Sequence, residues 1–430
     1  MAVIKIKLWG NTVGAVAWSQ QQNHGVIEFS ENFVKLGLDL APIAMPYEDL
    51  LRGQRIFAFP ILNFETFNGL PGLLADALPD AFGNTVLRGW LRSQNRGAES
   101  LTPLEKLSYV GKRAMGALEF EPETETPEAE ERIEVERLLD LTNKVLEDKE
   151  SVSLNLSADE ERAMASMIRI GSSAGGQRPK AIIGYHPETK ELKSGQVPLP
   201  KGFQYYLLKF DGVSDDHLSY PQGYGRLELA YHHMALDCGI HMQPCSLLEE
   251  NGRAHFMTLR FDRTTEGEKL HMQTLCAMSH FDFNMAGAYS YEDAFEEMRA
   301  LSLPYPDLDQ LYKRMVFNVV ARNQDDHTKN ISFLMDKTGE WRLSPAYDLT
   351  WNYNPRGDWT NVHQMSINQK RDNFTVNDLI EVAQRQGIKN PTETIERTLD
   401  TLNRWKHFAR DTGVRLDMTD AAQKTHRLKL

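Results

Sequence analysis

Asp325, Asn330 and Asp348 are the residues of this 430-residue chain whose types and spacing could handle a phosphoryl group. Asp325 and Asn330 have the D-x-x-x-x-N interval of a phosphotransferase catalytic loop. In such a loop the Asp orients or deprotonates the attacking hydroxyl and the Asn oxygen ligates Mg²⁺. A second Asp, beyond the next strand pair, grips the metal bridging the phosphates. Asp348 stands where that second Asp belongs. Mg²⁺ takes hard oxygen ligands and keeps several of its waters, so one Asn and one Asp suffice as protein ligands. The interval alone is common, because Asx-rich loops after helices are usually turns. The surrounding elements therefore carry the argument.

Leu311, Met315 and Val319, with Tyr312, Val316 and Val320 beside them, recur every four residues as on the buried face of a helix. That helix should stop near Arg322–Asn323 and release a polar loop from Gln324 to Asn330. Ile331–Met335 and Trp341–Leu343 then read as two strands joined by a turn at Lys337–Thr338–Gly339, the second leading to Asp348. Upstream, Met167–Ile170 and Ala181–Tyr185 flank a small-residue loop, Gly171 to Gly176, in which Gly175 and Gly176 let backbone N–H groups converge on an anion. Arg178 and Lys180 follow with positive charge. A tight hairpin turn accounts for the same residues. Gln204–Phe210 is a strand carrying one lysine, Lys209, and the helix after it offers Glu228 as a brace. An edge-strand lysine and a surface glutamate are the plainer alternative. His232 and His233 are adjacent, cannot share a helix face as ligands and read as structural. Phe256–Asp262 is a further strand leading toward a hinge.

With 41% hydrophobic and 25% charged residues the chain reads as an ordinary globular protein with room for two or three domains. No apolar run approaches the roughly 20 residues of a membrane span, and MAVIKIKLWG alternates like a strand rather than a secretory signal. Three cysteines, Cys238, Cys245 and Cys276, show no zinc spacing and suit a reducing, cytoplasmic location. A net charge of −12 argues against direct non-specific nucleic-acid binding as the main task. Residues 1–60 look β-rich, and the punctuated helical pieces from Phe67 to Gln94 read as packing without chemistry. Nine Glu against one Arg between Glu119 and Glu136 mark a solvated linker and surface helix. From 271 onward the pattern is mostly helical, over Ser290–Ala300, Leu308–Arg322, Val376–Gln386 and Thr392–Thr412. The expected class is α+β. A small β-rich N-terminal subdomain (1–115) and the acidic linker (116–150) precede a two-lobed protein-kinase-like fold. Its β-rich N-lobe spans 151–264 and its helical C-lobe 265–430.

These residues together resemble the HipA-family toxin kinases, the serine/threonine kinase half of bacterial HipBA-type toxin–antitoxin modules. The likeness covers nearly the whole length. LWGNTVG and FNGLPGLLADALPD resemble the family's N-terminal region, SSAGGQRPKA its Gly-rich loop, and LRFDR its hinge. DDHTKN and SPAYDLT resemble its catalytic and metal-binding segments, and HQMSINQK with FTVNDLIEVA a C-terminal stretch. The resemblance implies Asp325 as catalytic aspartate, Asn330 and Asp348 as Mg²⁺ ligands and Lys209 as the ATP-phosphate lysine. The backbone of Leu259–Phe261 becomes the adenine hinge. It also implies an autophosphorylated loop serine. Counting back from Pro179–Lys180 favours Ser173, the preferred choice, and matching Ala174–Gly175 favours Ser172. Phosphate there would bring nearly two negative charges to where ATP phosphates bind. His327 and Lys329 either position the phosphate or hold the loop, with phosphate contact slightly favoured for Lys329. Asn323–Gln324 replaces the His-Arg, and Leu349–Thr350 the Phe-Gly, of an ordinary eukaryotic-type kinase.

The function implied is ATP- and Mg-dependent phosphorylation of a protein serine or threonine in a translation component, glutamyl-tRNA synthetase or another aminoacyl-tRNA synthetase. A HipB-like DNA-binding antitoxin would be the partner, with DNA reached only through it and no membrane involved. Three other readings compete: a small-molecule kinase on the same scaffold, a metal-dependent nuclease using Asp325, Asp326 and His327, and an idle regulatory subunit.

Overall fold

Residues 3–93, 101–124, 135, 139–140, 142, 178–212 and 222–430 are described by the structure, a computed structural model. The opening alternation of Ile and Lys becomes β1 (Val3–Leu8), with Ile4, Ile6 and Leu8 buried and the intervening lysines on the outer face. It pairs with β2 (Asn11–Ser19) and β5 (Leu118–Glu121), and β3 (His24–Phe29) and β4 (Ile56–Ala58) complete an antiparallel sheet of order β4-β3-β2-β1-β5.

A second antiparallel sheet holds β6 (Lys180–Tyr185), β7 (Leu192–Ser194), β8 (Gln204–Lys209), β9 (Cys245–Glu250) and β10 (Arg253–Leu259) in the order β7-β6-β8-β10-β9. Strand β8 is central, which removes the edge-strand alternative for Lys209. The helix Tyr224–Asp237 crosses against β10 at Gly225. A Cβ at that position would lie 2.1 Å from the Ala254 carbonyl oxygen, so only glycine allows the approach. One turn later the helix presents Glu228.

In the helical half the expected Ser290–Ala300 and Leu308–Arg322 are observed as Tyr291–Ala300 and Tyr305–Ala321, the latter starting one turn earlier and buried nearly all round. Val376–Gln386 begins with the anticipated capping box between Thr375 and Asp378. The expected single helix Thr392–Thr412 is divided at Arg404 into Pro391–Asn403 and Trp405–Asp411. This half also contains a strand that the helical reading of the region passed over, β11 (His271–Thr274). It joins β12 (Ser332–Met335) and β13 (Trp341–Leu343) in the order β11-β12-β13. Among the described residues no helix is long and apolar enough to cross a membrane.

Of the three apolar clusters among the described residues, the two larger ones tie these layers together. Ile6, Phe120 and Leu74 from the N-terminal part share one continuous apolar cluster with Leu275, Val316 and Val319 of the helical half. A smaller cluster joins Phe82, Val86 and Trp90 of the helix Ala81–Ser93 to Ala181, Leu208 and Met257 on the second sheet. The stretch Phe67–Gln94 therefore does more than fill space. Gly72 abuts the short helix Leu275–Ser279, where a Cβ would meet the Ala277 oxygen at 2.1 Å, and its N–H donates to His280 Nε2 at 3.0 Å. Some ten residues later the same stretch packs on the second sheet, so it passes behind the space between the two halves.

Buried histidines give the fold a pH dependence. Burial pushes the imidazoles of His271 and His426 from 6.5 down to about 3, with Arg322 adding to the effect at His426. A folded value below the unfolded one means that the stabilisation is complete above 6.5 and is lost as pH falls toward 3. Each histidine removes up to about 1.4 kcal/mol per pH unit over that window. Urea midpoints at about pH 7.5 and about pH 5 should show a clear drop. Equal midpoints would contradict neutral burial of these rings.

Candidate active site

The helix Tyr305–Ala321 ends on Arg322, in the left-handed conformation at φ 57°, and the polar loop turns away from there. Its next residues are pinned into the protein. Gln324 N donates to the Asn352 carbonyl at 3.0 Å. The buried Asp326 carboxylate accepts from Tyr291 Oη (2.9 Å) and Gln364 N (2.8 Å) and meets His363 Nδ1 at 2.8 Å. Thr328 Oγ1 reaches the Phe281 carbonyl, and Tyr347 Oη the Lys329 carbonyl. With its neighbours fixed, Asp325 projects into a cleft of about 810 Å³ that lies between the second sheet and the helical half.

Asp325 Oδ1 accepts from the Trp359 indole at 2.6 Å, and His327 Nε2 lies 3.8 Å from the same oxygen. Burial pushes the Asp325 carboxyl above its ordinary range, against the pull of His327 and the Trp359 hydrogen bond. The His327 ring lies near Phe283 and Trp359, and burial lowers its pKa despite Asp325 and Asp348 nearby. Lys329 sits 4.4 Å from the centre of the Phe283 ring and lines the cleft. Asn330 donates its Nδ2 to the Asp325 carbonyl at 2.7 Å, which leaves Oδ1 as its remaining polar atom.

Across the cleft, Lys209 Nζ is 2.5 Å from Glu228 Oε1 and in direct contact with Asp348 Oδ1. Glu228 is 2% exposed, so the surface-glutamate alternative does not hold. Its other oxygen lies 3.2 Å from Arg178. Burial alone would raise Asp348 and lower Lys209. The opposite charges win: Asp348 is held down at about 2, chiefly by Lys209 and Lys180, and Lys209 is raised by Asp348 and Glu228. Asp348 adopts φ 54°, a left-handed conformation unusual for a residue with a Cβ.

The structure thus brings Lys209, Asp348, Asp325 and Lys329 to one cleft, with Asn330 bonded to the loop beneath. Leu259 and Phe261 are not among its lining residues. The Leu259 N–H is donated to the Pro244 carbonyl and the Arg260 N–H to that of Tyr205, both within the protein. Ser172, Ser173, Gly175 and Gly176 lie outside the described residues, as does most of the acidic stretch. The triad Asp325, Asp326 and His327 does not form a metal cluster, because Asp326 points into the protein. Among the described residues no group of three or more His, Cys, Asp or Glu could hold a metal ion. Three contributors escaped the spacing argument. Trp359 sits in an irregular stretch without periodicity, and Asp76 and Asp80 come from the segment read as packing. An acid directly after Leu-Pro between two short helices was the available signal for Asp80.

Residues 4–121 match the family described as HipA N-terminal domain, and residues 172–424 match the HipA-like C-terminal domain. The protein Y4mE of Sinorhizobium fredii strain NGR234, named as a candidate kinase, is 29% identical over 125 residues. That match takes in 27% of this chain and spans only 30% of the relative's length. The HipA chain of the Shewanella oneidensis MR-1 HipA, HipB and operator DNA complex superposes with a TM-score of 0.66. It is 15% identical, with 98% of this chain and 95% of that one covered, and at that identity it speaks to the fold alone.

Proposed function

The chain belongs to the HipA family, and from that premise we propose that it is an ATP- and Mg-dependent serine/threonine protein kinase, the toxin of a toxin–antitoxin pair. One observation carries the reading. A buried Lys209 joins Glu228 to Asp348 directly across a cleft from Asp325. The donor set fits a magnesium triphosphate: Arg178, Lys180, Lys209 and Lys329 are cations on the cleft wall, and Asp348 with Asn330 Oδ1 are hard oxygens. Asp348 and Asn330 would hold the metal, and Lys209 and Lys329 the phosphates. Gly175 and Gly176, outside the described residues, are assigned to phosphate binding by the family resemblance alone.

Bound there, magnesium–ATP supplies the phosphoryl group. Asp325, with Oδ1 held by Trp359, keeps Oδ2 for a protein hydroxyl, orients it and takes its proton. A carboxyl pushed upward by burial is a stronger base for that task than an exposed one. The protein substrate is an aminoacyl-tRNA synthetase, glutamyl-tRNA synthetase first among them. A HipB-like antitoxin is the partner through which DNA is reached, as the composition of the Shewanella complex supports. Ser173, with Ser172 as the alternative, receives phosphate in an inhibitory self-reaction.

Phosphopeptide mapping after incubation with Mg–ATP, alone and with a cell lysate, tests this. The expected result is one phosphoserine in the peptide containing Ser172 and Ser173 and a new phosphopeptide from a synthetase. An absence of ATP-dependent phosphate in both samples would overturn the assignment.

A further inference from the structure

The stretch behind the cleft carries a carboxylate that the catalytic reading leaves without a task. Asp80 precedes the helix Ala81–Ser93, and its Oδ1 accepts from Gly83 N at 2.6 Å. Its Oδ2 lies 3.4 Å from Lys180 Nζ, and both side chains are 3% exposed. Lys180 opens β6 and stands directly opposite Lys209 on β8. Opposite positions on neighbouring strands share a face, where like charges repel. These two lysines nevertheless both line the cleft and both are buried.

The neighbouring acids explain how. Lys209 lies between Glu228 and Asp348, and Lys180 lies between Asp80 and the field of Asp348, whose carboxyl it helps to hold down. Charges alternate along the wall in the order Arg178, Glu228, Lys209, Asp348, Lys180, Asp80. The last member comes from the N-terminal part, outside the strands and loop that carry the phosphotransfer reading. Two contacts keep it in place. Asn84 donates to the carbonyls of Pro79 and Asp80, at 2.8 and 2.9 Å, and the following helix is packed on the second sheet.

We propose that Asp80 is a positioning residue for phosphate binding: it holds Lys180 beside Lys209 so that two ammonium groups face one phosphate chain. The proposal rests on the ATP reading above. Without the Asp80 charge, Lys180 would lose a buried counter-charge while still standing opposite Lys209. Turning away toward water would relieve that and remove positive charge from the site. Phosphate contacts of this kind serve bound ATP and the transition state alike, so the loss falls on KM rather than on kcat.

A purely structural Asp80 would act only as the cap of the helix that follows. Asp80→Asn separates the two, because asparagine caps as well as aspartate but carries no charge. In the full-length protein, D80N should raise KM for ATP about tenfold, the scale of one lost charge-assisted hydrogen bond. Its kcat should stay within about twofold, while the loss of one side of a buried ion pair lowers its thermal midpoint. In a Lys180→Met background the same substitution should leave KM where K180M put it. A KM within about twofold of wild type, or an effect that adds fully to that of K180M, overturns the proposal. Failure of the wild-type chain to bind ATP in an equilibrium assay overturns the phosphotransfer reading itself, and this one with it.

Discussion

Asp325→Asn is expected to lower phosphoryl transfer from labelled ATP by roughly 10²–10⁴-fold, the usual share of a positioned base. Asparagine preserves the shape and can still accept the Trp359 indole hydrogen bond at Oδ1. It lacks the second acceptor oxygen and the basicity that a substrate hydroxyl needs. The surrounding loop is held by Asp326, Thr328 and the Lys329 carbonyl, none of which is altered. Unfolding should therefore match wild type, and KM for ATP should move little. Turnover within about threefold of wild type would remove Asp325 from the chemistry. Equal loss of ATP affinity and turnover would instead make it a binding group.

Lys209→Met should affect activity and stability together. Lys209 is the sole residue seen in direct ion-pair contact with both Glu228 and Asp348 among the described residues, and its removal leaves those carboxylates facing one another. Breaking a buried pair from one side typically costs about 3–5 kcal/mol. The lower end applies here, because Arg178 still reaches Glu228. Urea denaturation should show that loss, and labelled transfer should fall to background. Adding Glu228→Met removes the stranded acid and should restore part of the stability without restoring transfer. A single variant as stable as wild type would mean that the Lys209–Glu228 pair is not formed in solution.

Much of this arrangement was legible because it obeys short-range rules. The four-residue recurrence of Leu311, Met315 and Val319 placed the helix, and the turn at Lys337–Gly339 placed the hairpin that delivers Asp348. A lysine alone in an apolar strand announced that it needed a counter-charge, and Glu228 was in reach one helix turn past Gly225. What escaped depends on contacts between distant segments. Nothing around Trp359 is periodic, and its indole matters only because the fold lays it against Asp325, 34 residues away in sequence. Asp80 sits about a hundred positions before Lys180, so local pattern treated its segment as filler. His271–Thr274 became a strand because β12 offered an edge, and residue pattern alone does not report an edge. The amides of Leu259 and Arg260 were spent within the protein for the same reason, through partners at Pro244 and Tyr205.

The left-handed backbone at Asp348 narrows what natural variation can place there. An ordinary side chain in that region costs roughly 1–2 kcal/mol, whereas aspartate and asparagine tolerate it through their short polar arms. Glutamate keeps the charge but loses that tolerance and overshoots Lys209 by one methylene. Drift at this codon is thus filtered twice, once by the main chain and once by the charge it must present. A relative with asparagine at this position would point to a lineage that kept the shape after its chemistry had been abandoned.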